Sequence, residues 1–578
     1  MKRRAQAAVL WLLAAFSSAW AQQATLGLPT PLDFYRTYDV EEEGKRLQQQ
    51  FFESLDPQSR KIISKLLEES AAKGIPDIPK DQVKMFVQSL DWKSKKRALL
   101  DQVLFRSQVM DIVPPSSRKL WTPIVHDGLV FFLGNLSDER LFDLAWNLSQ
   151  LKPDAGRGEK IVVLADRIPT LQKLAQMLSR NPDIPLDIRM GLQSMENSQH
   201  TTSRADLVAL VTKELGEQRV SELKIQFDGK VLAEASIGAV IKAKLVPPGE
   251  PSAADVVVKL VKPYALAGLP EEMKVLDQMT EFFERNSKFY QIEAVPVTDL
   301  FRQLREAWEK ELRVEKEQDH LRQAVAYYAG NPHVKVPRLI EVSSSLVTIM
   351  EFIDGEKITD AFKGDPARRA IMARRLFDTL SYEPLYGPRE VALFHGDPHA
   401  GNVFHVLHNE RDPYRIALLD WGVMGRFGKR QRSQLIQLFL GLEYKDRKRM
   451  ANGIGGLIVG GVPADPARRR RCDEIFDEVF RIKNVKSSYE QLSELVRLLA
   501  YEGYKVEQQF GLFIKAQLTI AGILTELDPD FNQIAYAKSR VKRQVLKELP
   551  QRILLLPAWN YHGYRSMMSN EDVRDSIF

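Results

Sequence analysis

Apolar positions recur at helical spacing through the first part of the chain. Phe51, Phe52 and Leu55, then Ile62, Ile63, Leu66 and Leu67, predict amphipathic helices between about residues 30 and 110. A second helical block runs from about 115 to 217, with loop signals at Pro153 to Gly158 and Asn181 to Pro185. The pattern then turns β-rich: Val231 to Leu245 and Asp255 to Val261 are separated by Val246-Pro-Pro-Gly249, which reads as a hairpin connection. A long charged helix follows around 300–328, then an apolar strand from Leu346 to Phe352. From Pro366 onward helices dominate, interrupted by a short hairpin, Val403 to Leu407 and Ile416 to Leu419. The expectation is an α+β chain with a small β-rich lobe and a large helical lobe, preceded by a helical N-terminal extension.

Composition narrows the class of function. The 82 basic and 76 acidic residues of this 578-residue chain leave a formal charge of +6 and are well mixed. No basic stripe with interleaved aromatics appears, so nucleic acid is not an expected partner. The Arg468 to Arg471 run follows Asp465-Pro466, an N-cap and N1 pair, and is expected to open a helix with a solvated face. At the N-terminus, Lys2, Arg3 and Arg4 precede an apolar run from Ala7 to Phe16 and then Ala19-Trp20-Ala21. That is the pattern of a secretory signal peptide over 1–21, which predicts a periplasmic or secreted protein. A cytoplasmic or membrane-anchored chain is the alternative if this segment stays attached. Downstream there is no run of 18 consecutive apolar residues, so the mature chain is expected to be soluble, with a peripheral membrane contact left open. The lone Cys472 allows no internal disulfide and leaves the compartment and the oligomeric state undecided.

The chemistry concentrates in HGDPHAGN (His395 to Asn402) and DWG (Asp420 to Gly422). Phosphoryl transfer needs metal ions to neutralise phosphate and a carboxylate to orient the acceptor. Asp397 and Asn402 stand at the Asp-to-Asn interval of a kinase catalytic loop, which makes Asp397 the candidate base and Asn402 a candidate Mg²⁺ ligand. Asp420 ends the apolar run IALLD, where the second metal-chelating carboxylate belongs. Lys259, in VVVKLV, is the candidate for holding the α- and β-phosphates, against the plain alternative of an edge-strand lysine. Its expected partner is Glu317, chosen among several glutamates on the following helix. A zinc site from His395, Asp397 and His399 is a competing reading that no further ligand set accompanies.

These residues resemble the UbiB/ADCK (AarF) family of atypical kinases. HGDPHAGN matches that family's catalytic loop, MEFIDG (Met350 to Gly355) its inter-lobe hinge, and GVMGRF (Gly422 to Phe427) and LDPDFN (Leu527 to Asn532) its later segments. AEASIGAV (Ala233 to Val240) is similar to its alanine-rich nucleotide loop, KLAQ (Lys173 to Gln176) to its KxGQ segment, and ELRVEKE (Glu311 to Glu317) to its ExD…E helix. The likeness runs from roughly residue 165 to 535 and implies a two-lobed protein-kinase-like fold with ATP or ADP and Mg²⁺ as cofactors. It implies nucleotide contacts at Ala235, Ser236, Ile237, Gly238, Val240, Lys259, Glu351 and Ile353, and a gate formed by Lys173, Gln176, Glu311 and Arg313. Three positions depart from the family: Ala175 for glycine, Ala239 for glutamine, and Arg313 for aspartate. Arg313 would set a like charge against Lys173, which costs on the order of 4 kcal/mol at about 4 Å and an effective dielectric near 20. A loosened or rearranged gate is the expectation.

The expected organisation is a helical region over 22–114, the KxGQ-like segment over 115–225, a small lobe over 226–352, a large lobe over 353–560, and a tail over 561–578. The expected function is an ATP-dependent phosphotransferase or ATPase, with a small-molecule or lipid acceptor, and the resemblance implies a link to isoprenoid quinone metabolism. Two alternatives stay open: an exported pseudokinase that binds without turnover, and an aminoglycoside- or choline-type phosphotransferase.

Overall fold

Helix signals in the sequence are realised where cap and apolar stripe agree. Pro466–Phe480 starts on Asp465, whose carboxylate accepts from the Arg468 N–H at 2.8 Å, and its arginines face solvent as expected. Arg471 there meets Glu474, Glu478 and Glu502. The structure, a computed structural model, describes residues 109–577 apart from 114–117, 153–154, 180–183, 197–202, 235–236, 293–300, 303, 307, 309–313, 460, 462–464 and 483–487, with isolated positions between 57 and 107. The expected signal peptide and most of the 22–114 region lie outside the described residues, as do Ala235, Ser236, Glu311 and Arg313.

The chain divides into two compact units, 1–244 with 258–312, and 245–257 with 313–578. In the first, the longer helices are α1 (Arg118–Gly134), α2 (Asp138–Ser149), α3 (Arg157–Ala165), α4 (Pro169–Leu178), α5 (Leu186–Glu196), α6 (Arg204–Leu215) and α7 (Pro263–Arg285). Val275, Leu276, Met279, Phe282 and Phe283 make one stripe of α7, and they share a core with Val130, Leu133 and Tyr290. Helices α3 and α5 meet at backbone distance, because a Cβ on Gly191 would lie 2.5 Å from the Cα of Gly158. A buried polar clamp joins α2, α4 and α7: the Arg140 guanidinium pairs with Glu271 and Glu272, and Glu272 also accepts from the Thr170 N–H at 2.8 Å. Strands β1 (Gln226–Glu234) and β2 (Gly238–Leu245) pair antiparallel, with Glu234 opposite Ala239.

Strand β3 (Ala254–Val261) begins in the second unit and ends in the first. The second unit adds β4 (Val334–Lys335), β5 (Val347–Glu351), β6 (Gly355–Lys357), β7 (Val391–His395), β8 (Val403–Val406), β9 (Ile416–Leu418) and β10 (Met424–Gly428). One sheet has the order β4-β9-β8-β6, in which β8 and β9 form the expected hairpin; β7 and β10 pair separately, with His395 opposite Met424. Its longer helices are α8 (Val314–Tyr328), α9 (Pro366–Phe377), α10 (Lys429–Tyr444), α11 (Arg447–Ile454), α12 (Pro466–Phe480), α13 (Ser488–Tyr501), α14 (Gln508–Leu527), α15 (Gln533–Leu554) and α16 (Asn570–Ile577). Among the described residues, α14 alone is long and apolar enough to cross a membrane. Half of that apolar window is buried, with Phe510, Phe513, Ile520 and Leu524 in the core, so it reads as a core helix of this unit.

Candidate active site

The loop between β7 and β8 carries HGDPHAGN, and hydrogen bonds fix it from within. The Asp397 N–H donates to Nδ1 of His395 at 3.2 Å, while the His395 Nε2–H donates to the Leu419 carbonyl at 2.8 Å. Both ring nitrogens are therefore spent, one accepting and one donating, which defines a neutral tautomer. Burial pushes the His395 pKa down, in keeping with that form. His395 is thus no metal ligand, and the zinc reading loses its first residue. Gly396 has to be glycine, since a Cβ would come within 2.6 Å of the Val423 side chain.

The same network positions Asn402. Its Nδ2 donates to the Asp397 carbonyl at 3.1 Å, its N–H donates to the His399 carbonyl at 2.8 Å, and its own carbonyl accepts from the Leu419 N–H at 2.8 Å. With the amide nitrogen committed, the Asn402 side chain has its oxygen to offer a cation. Leu419 is gripped from both sides, by His395 and Asn402, and it immediately precedes Asp420. Asp420 has a left-handed backbone, φ 54°, and its Oδ1 accepts from the Gly422 N–H at 3.1 Å. Gly422 suits that turn, because a Cβ there would lie 3.2 Å from the same Oδ1. Trp421 is fully buried; its indole N–H donates to the Leu418 carbonyl and its ring lies 4.8 Å from that of His395.

Asn402 and Asp420 thus supply an amide oxygen and a carboxylate, a hard-oxygen pair that fits Mg²⁺ when water and phosphate oxygens complete the octahedron. Asp397 is partly exposed, as a group that meets an acceptor has to be.

Two residues near the site were not singled out in the sequence. Lys515 on α14 brings its ammonium to 3.5 Å from Oδ1 of Asp397. Aromatic packing sets its position: the Phe513 ring lies 5.1 Å from Phe394, which immediately precedes His395, and 5.1 Å from Phe427. The available signal was that Lys515 is the lone charge between Glu507 and Glu526. On α8, the His320 ring contacts the Trp421 carbonyl at 3.0 Å, and burial lowers its pKa.

The expected nucleotide loop has its own clamp in the first unit. Glu234 ends β1 and Lys262 follows β3, and their buried charges approach to 2.9 Å without the alignment of a hydrogen bond. The Lys262 N–H donates to the Ile237 carbonyl at 2.6 Å. The turn that includes Ile237 and Gly238 is thereby tied to the end of the strand bearing Lys259. Ile237 and Ala239 are buried, whereas Gly238, Val240 and Lys259 are half-buried. Lys173 and Gln176 lie half-buried on α4, with the Lys173 ammonium 5.7 Å from the buried Trp308 ring.

In the second unit, Glu317 occupies the first turn of α8. Glu351 ends β5; its carboxylate pairs with Lys335 at 2.6 Å and its N–H donates to the Arg338 carbonyl at 2.9 Å. Ile353 is buried.

A family model described as the ABC1 atypical kinase-like domain matches residues 194–454. The probable protein kinase UbiB of Azotobacter vinelandii is 26% identical over 408 residues, covering 68% of this chain and 72% of that protein. An uncharacterized protein of Synechocystis is 25% identical over 392 residues, covering 64% of this chain and 62% of its own. An uncharacterized chloroplastic aarF domain-containing protein kinase of Arabidopsis thaliana is 24% identical over 424 residues, 71% of this chain and 56% of that one. The chain thus spans under two thirds of the length of the last two. A solved Mycobacterium tuberculosis structure, in complex with erythromycin, matches at 20% identity and a TM-score of 0.41, over 62% of this chain and 87% of that chain, a level from which we infer nothing further.

Proposed function

Through residues 194–454 the chain belongs to the UbiB/ADCK family of atypical kinase-like proteins, and on that footing we propose that it binds a magnesium nucleotide and transfers or hydrolyses the terminal phosphoryl group. The observation that carries the reading is the shared backbone frame of Asp397, Asn402 and Asp420, closed at Leu419 by His395 and Asn402. Asp397 orients the acceptor hydroxyl or a water and accepts its proton. The Asn402 amide oxygen and the Asp420 carboxylate hold the metal, which when bound neutralises phosphate charge. Lys515, whose ammonium lies 3.5 Å from Oδ1 of Asp397, stabilises charge that develops on the transferred group. Lys259 is carried over as the phosphate-holding lysine and Glu317 as its expected carboxylate partner, by their match to the family motifs. The acceptor is a small molecule or a lipid, and the process served is isoprenoid quinone or lipid metabolism.

Calorimetry with ATP and ADP, in Mg²⁺ and in EDTA, tests the binding half of this proposal. Binding that requires Mg²⁺ and weakens in Asn402→Ala and Asp420→Ala supports it; binding indifferent to metal and to both substitutions counts against it. Metal-dependent binding without any turnover identifies a pseudokinase.

A further inference from the structure

The loop that carries Asp397 also fixes the ring of His399, to which the reaction described so far gives no part. The Gly401 N–H donates to Nδ1 of His399 at 3.0 Å. That nitrogen is the acceptor of the ring, so the neutral imidazole carries its hydrogen on Nε2. Gly401 has to be glycine for the ring to lie there, since a Cβ would come within 2.9 Å of the ring carbon Cε1. The backbone is held as well: the His399 N–H donates to the Asp397 carbonyl at 2.9 Å, and the His399 carbonyl accepts from the Asn402 N–H at 2.8 Å. The His399 side chain is about half exposed, yet its loop-side nitrogen is tied down and its N–H edge is turned to the candidate base.

Nε2 of His399 stands 4.0 Å from Oδ2 of Asp397, while the Lys515 ammonium stands 3.5 Å from Oδ1. The two carboxylate oxygens thus face different donors. A gap of 4.0 Å is too long for a direct hydrogen bond, but an oxygen about 2.8 Å from both atoms fits beside the line that joins them. That oxygen has to give a proton to the carboxylate and accept a hydrogen from the imidazole. A hydroxyl or a water does both and keeps a second lone pair for phosphorus. An amine has a single lone pair, which the imidazole N–H would occupy; an ammonium has none, and a carboxylate has no proton to give.

We propose that His399 and Asp397 hold the acceptor oxygen between them, which makes His399 an acceptor-positioning residue and makes hydroxyl groups or water, rather than amines, the acceptor class. The proposal rests on the phosphoryl-transfer reading. In the step, the acceptor proton passes to Oδ2 of Asp397 and a lone pair of the acceptor oxygen forms the new bond to the γ-phosphorus. The bond from that phosphorus to the β–γ bridging oxygen breaks, and its electron pair leaves on the nucleoside diphosphate. His399 donates its hydrogen bond throughout and neither gains nor loses a proton.

Phosphate release from ATP by the full chain, with water as the acceptor, tests this in two variants. His399→Asn keeps an acceptor oxygen near the place of Nδ1, for the Gly401 N–H, and has nothing at the place of Nε2. His399→Gln keeps an N–H donor near Nε2 and loses the acceptor for Gly401. The expected result for His399→Asn is a kcat at least about tenfold lower, because the acceptor is no longer oriented, with the KM for ATP and the melting temperature unchanged. His399→Gln retains more of the rate although it melts lower. A purely structural role predicts the reverse order, and that order overturns the proposal, as does a wild-type rate in His399→Asn or an equal loss of kcat and nucleotide affinity there. These outcomes are read against a wild type that turns over and overturn this proposal alone; a wild type without turnover overturns the phosphoryl-transfer reading itself and this proposal with it.

Discussion

The ammonium of Lys515 stands 3.5 Å from Oδ1 of Asp397, the carboxylate proposed to face the acceptor. The pair joins the β7–β8 loop to α14, and Phe513 packing against Phe394 fixes the distance between those elements. Both side chains are partly exposed, so the pair adds little to folding stability. On the proposed mechanism its place beside Asp397 gives it weight in turnover. Lys515→Met is expected to lower kcat by about 10²-fold, in the range found for losing one electrostatic stabiliser, while nucleotide affinity stays near wild type. Lys515→Arg should recover most of the rate. Steady-state kinetics with parallel calorimetry check this, and equal losses in kcat and affinity would contradict it.

His395 predicts a structural effect inside the site. Its two ring nitrogens hold the Asp397 N–H and the Leu419 carbonyl. His395→Ala leaves a buried acceptor without its donor, a loss of about 1–3 kcal/mol. It also loosens the frame that sets Asp397 against Asp420, so metal-dependent nucleotide affinity falls together with the melting temperature. His395→Gln can still donate from a terminal nitrogen and should be milder in both. Calorimetric unfolding and nucleotide titration of the two variants distinguish the outcomes.

The Glu234–Lys262 clamp is buried on both sides, so breaking it from one side is costly. Lys262→Met strands the Glu234 carboxylate and is expected to destabilise by about 3–5 kcal/mol. The double variant Lys262→Met/Glu234→Leu should regain much of that loss in denaturant unfolding. If the nucleotide loop depends on the clamp, both variants bind ATP more weakly, including the one whose stability is restored.

A pH effect follows from Arg140 and Glu272. Burial pushes the Glu272 carboxyl up, against the lowering effect of Arg140. A carboxyl raised in the folded state binds more protons there than in the unfolded chain, so its contribution to stability declines as pH rises through that window. Arg140→Met removes the lowering charge and raises the folded pKa further. The destabilisation by Arg140→Met should therefore be larger at pH 7 than at about pH 3, below the ordinary carboxyl range, where the group is protonated folded and unfolded alike. Melting temperatures of both proteins across that range check the sign.

What could be read in the sequence was what local chemistry decides. Asp465-Pro466 marked the start of α12 because a side-chain acceptor and a missing N–H act within one turn. The β8–β9 hairpin followed from two short apolar runs flanking polar, proline-containing residues. Asp397, Asn402 and Asp420 were legible because their intervals are set within one loop and one hairpin. Lys515 was not, since only tertiary packing of α14 brings it to Asp397. Lys262 was hidden for another reason: at the end of a strand it looks no different from Lys259, and its partner Glu234 is reached through the register of the sheet.

The central claim is that Asp397 and Asp420 work in phosphoryl transfer. Its most direct test is phosphate release from ATP by the full chain at saturating Mg²⁺, measured beside Asp397→Asn and Asp420→Asn. The account predicts turnover by the wild type, retained nucleotide binding but lost turnover in Asp397→Asn, and loss of metal-dependent binding in Asp420→Asn. Turnover that survives Asp397→Asn would contradict it.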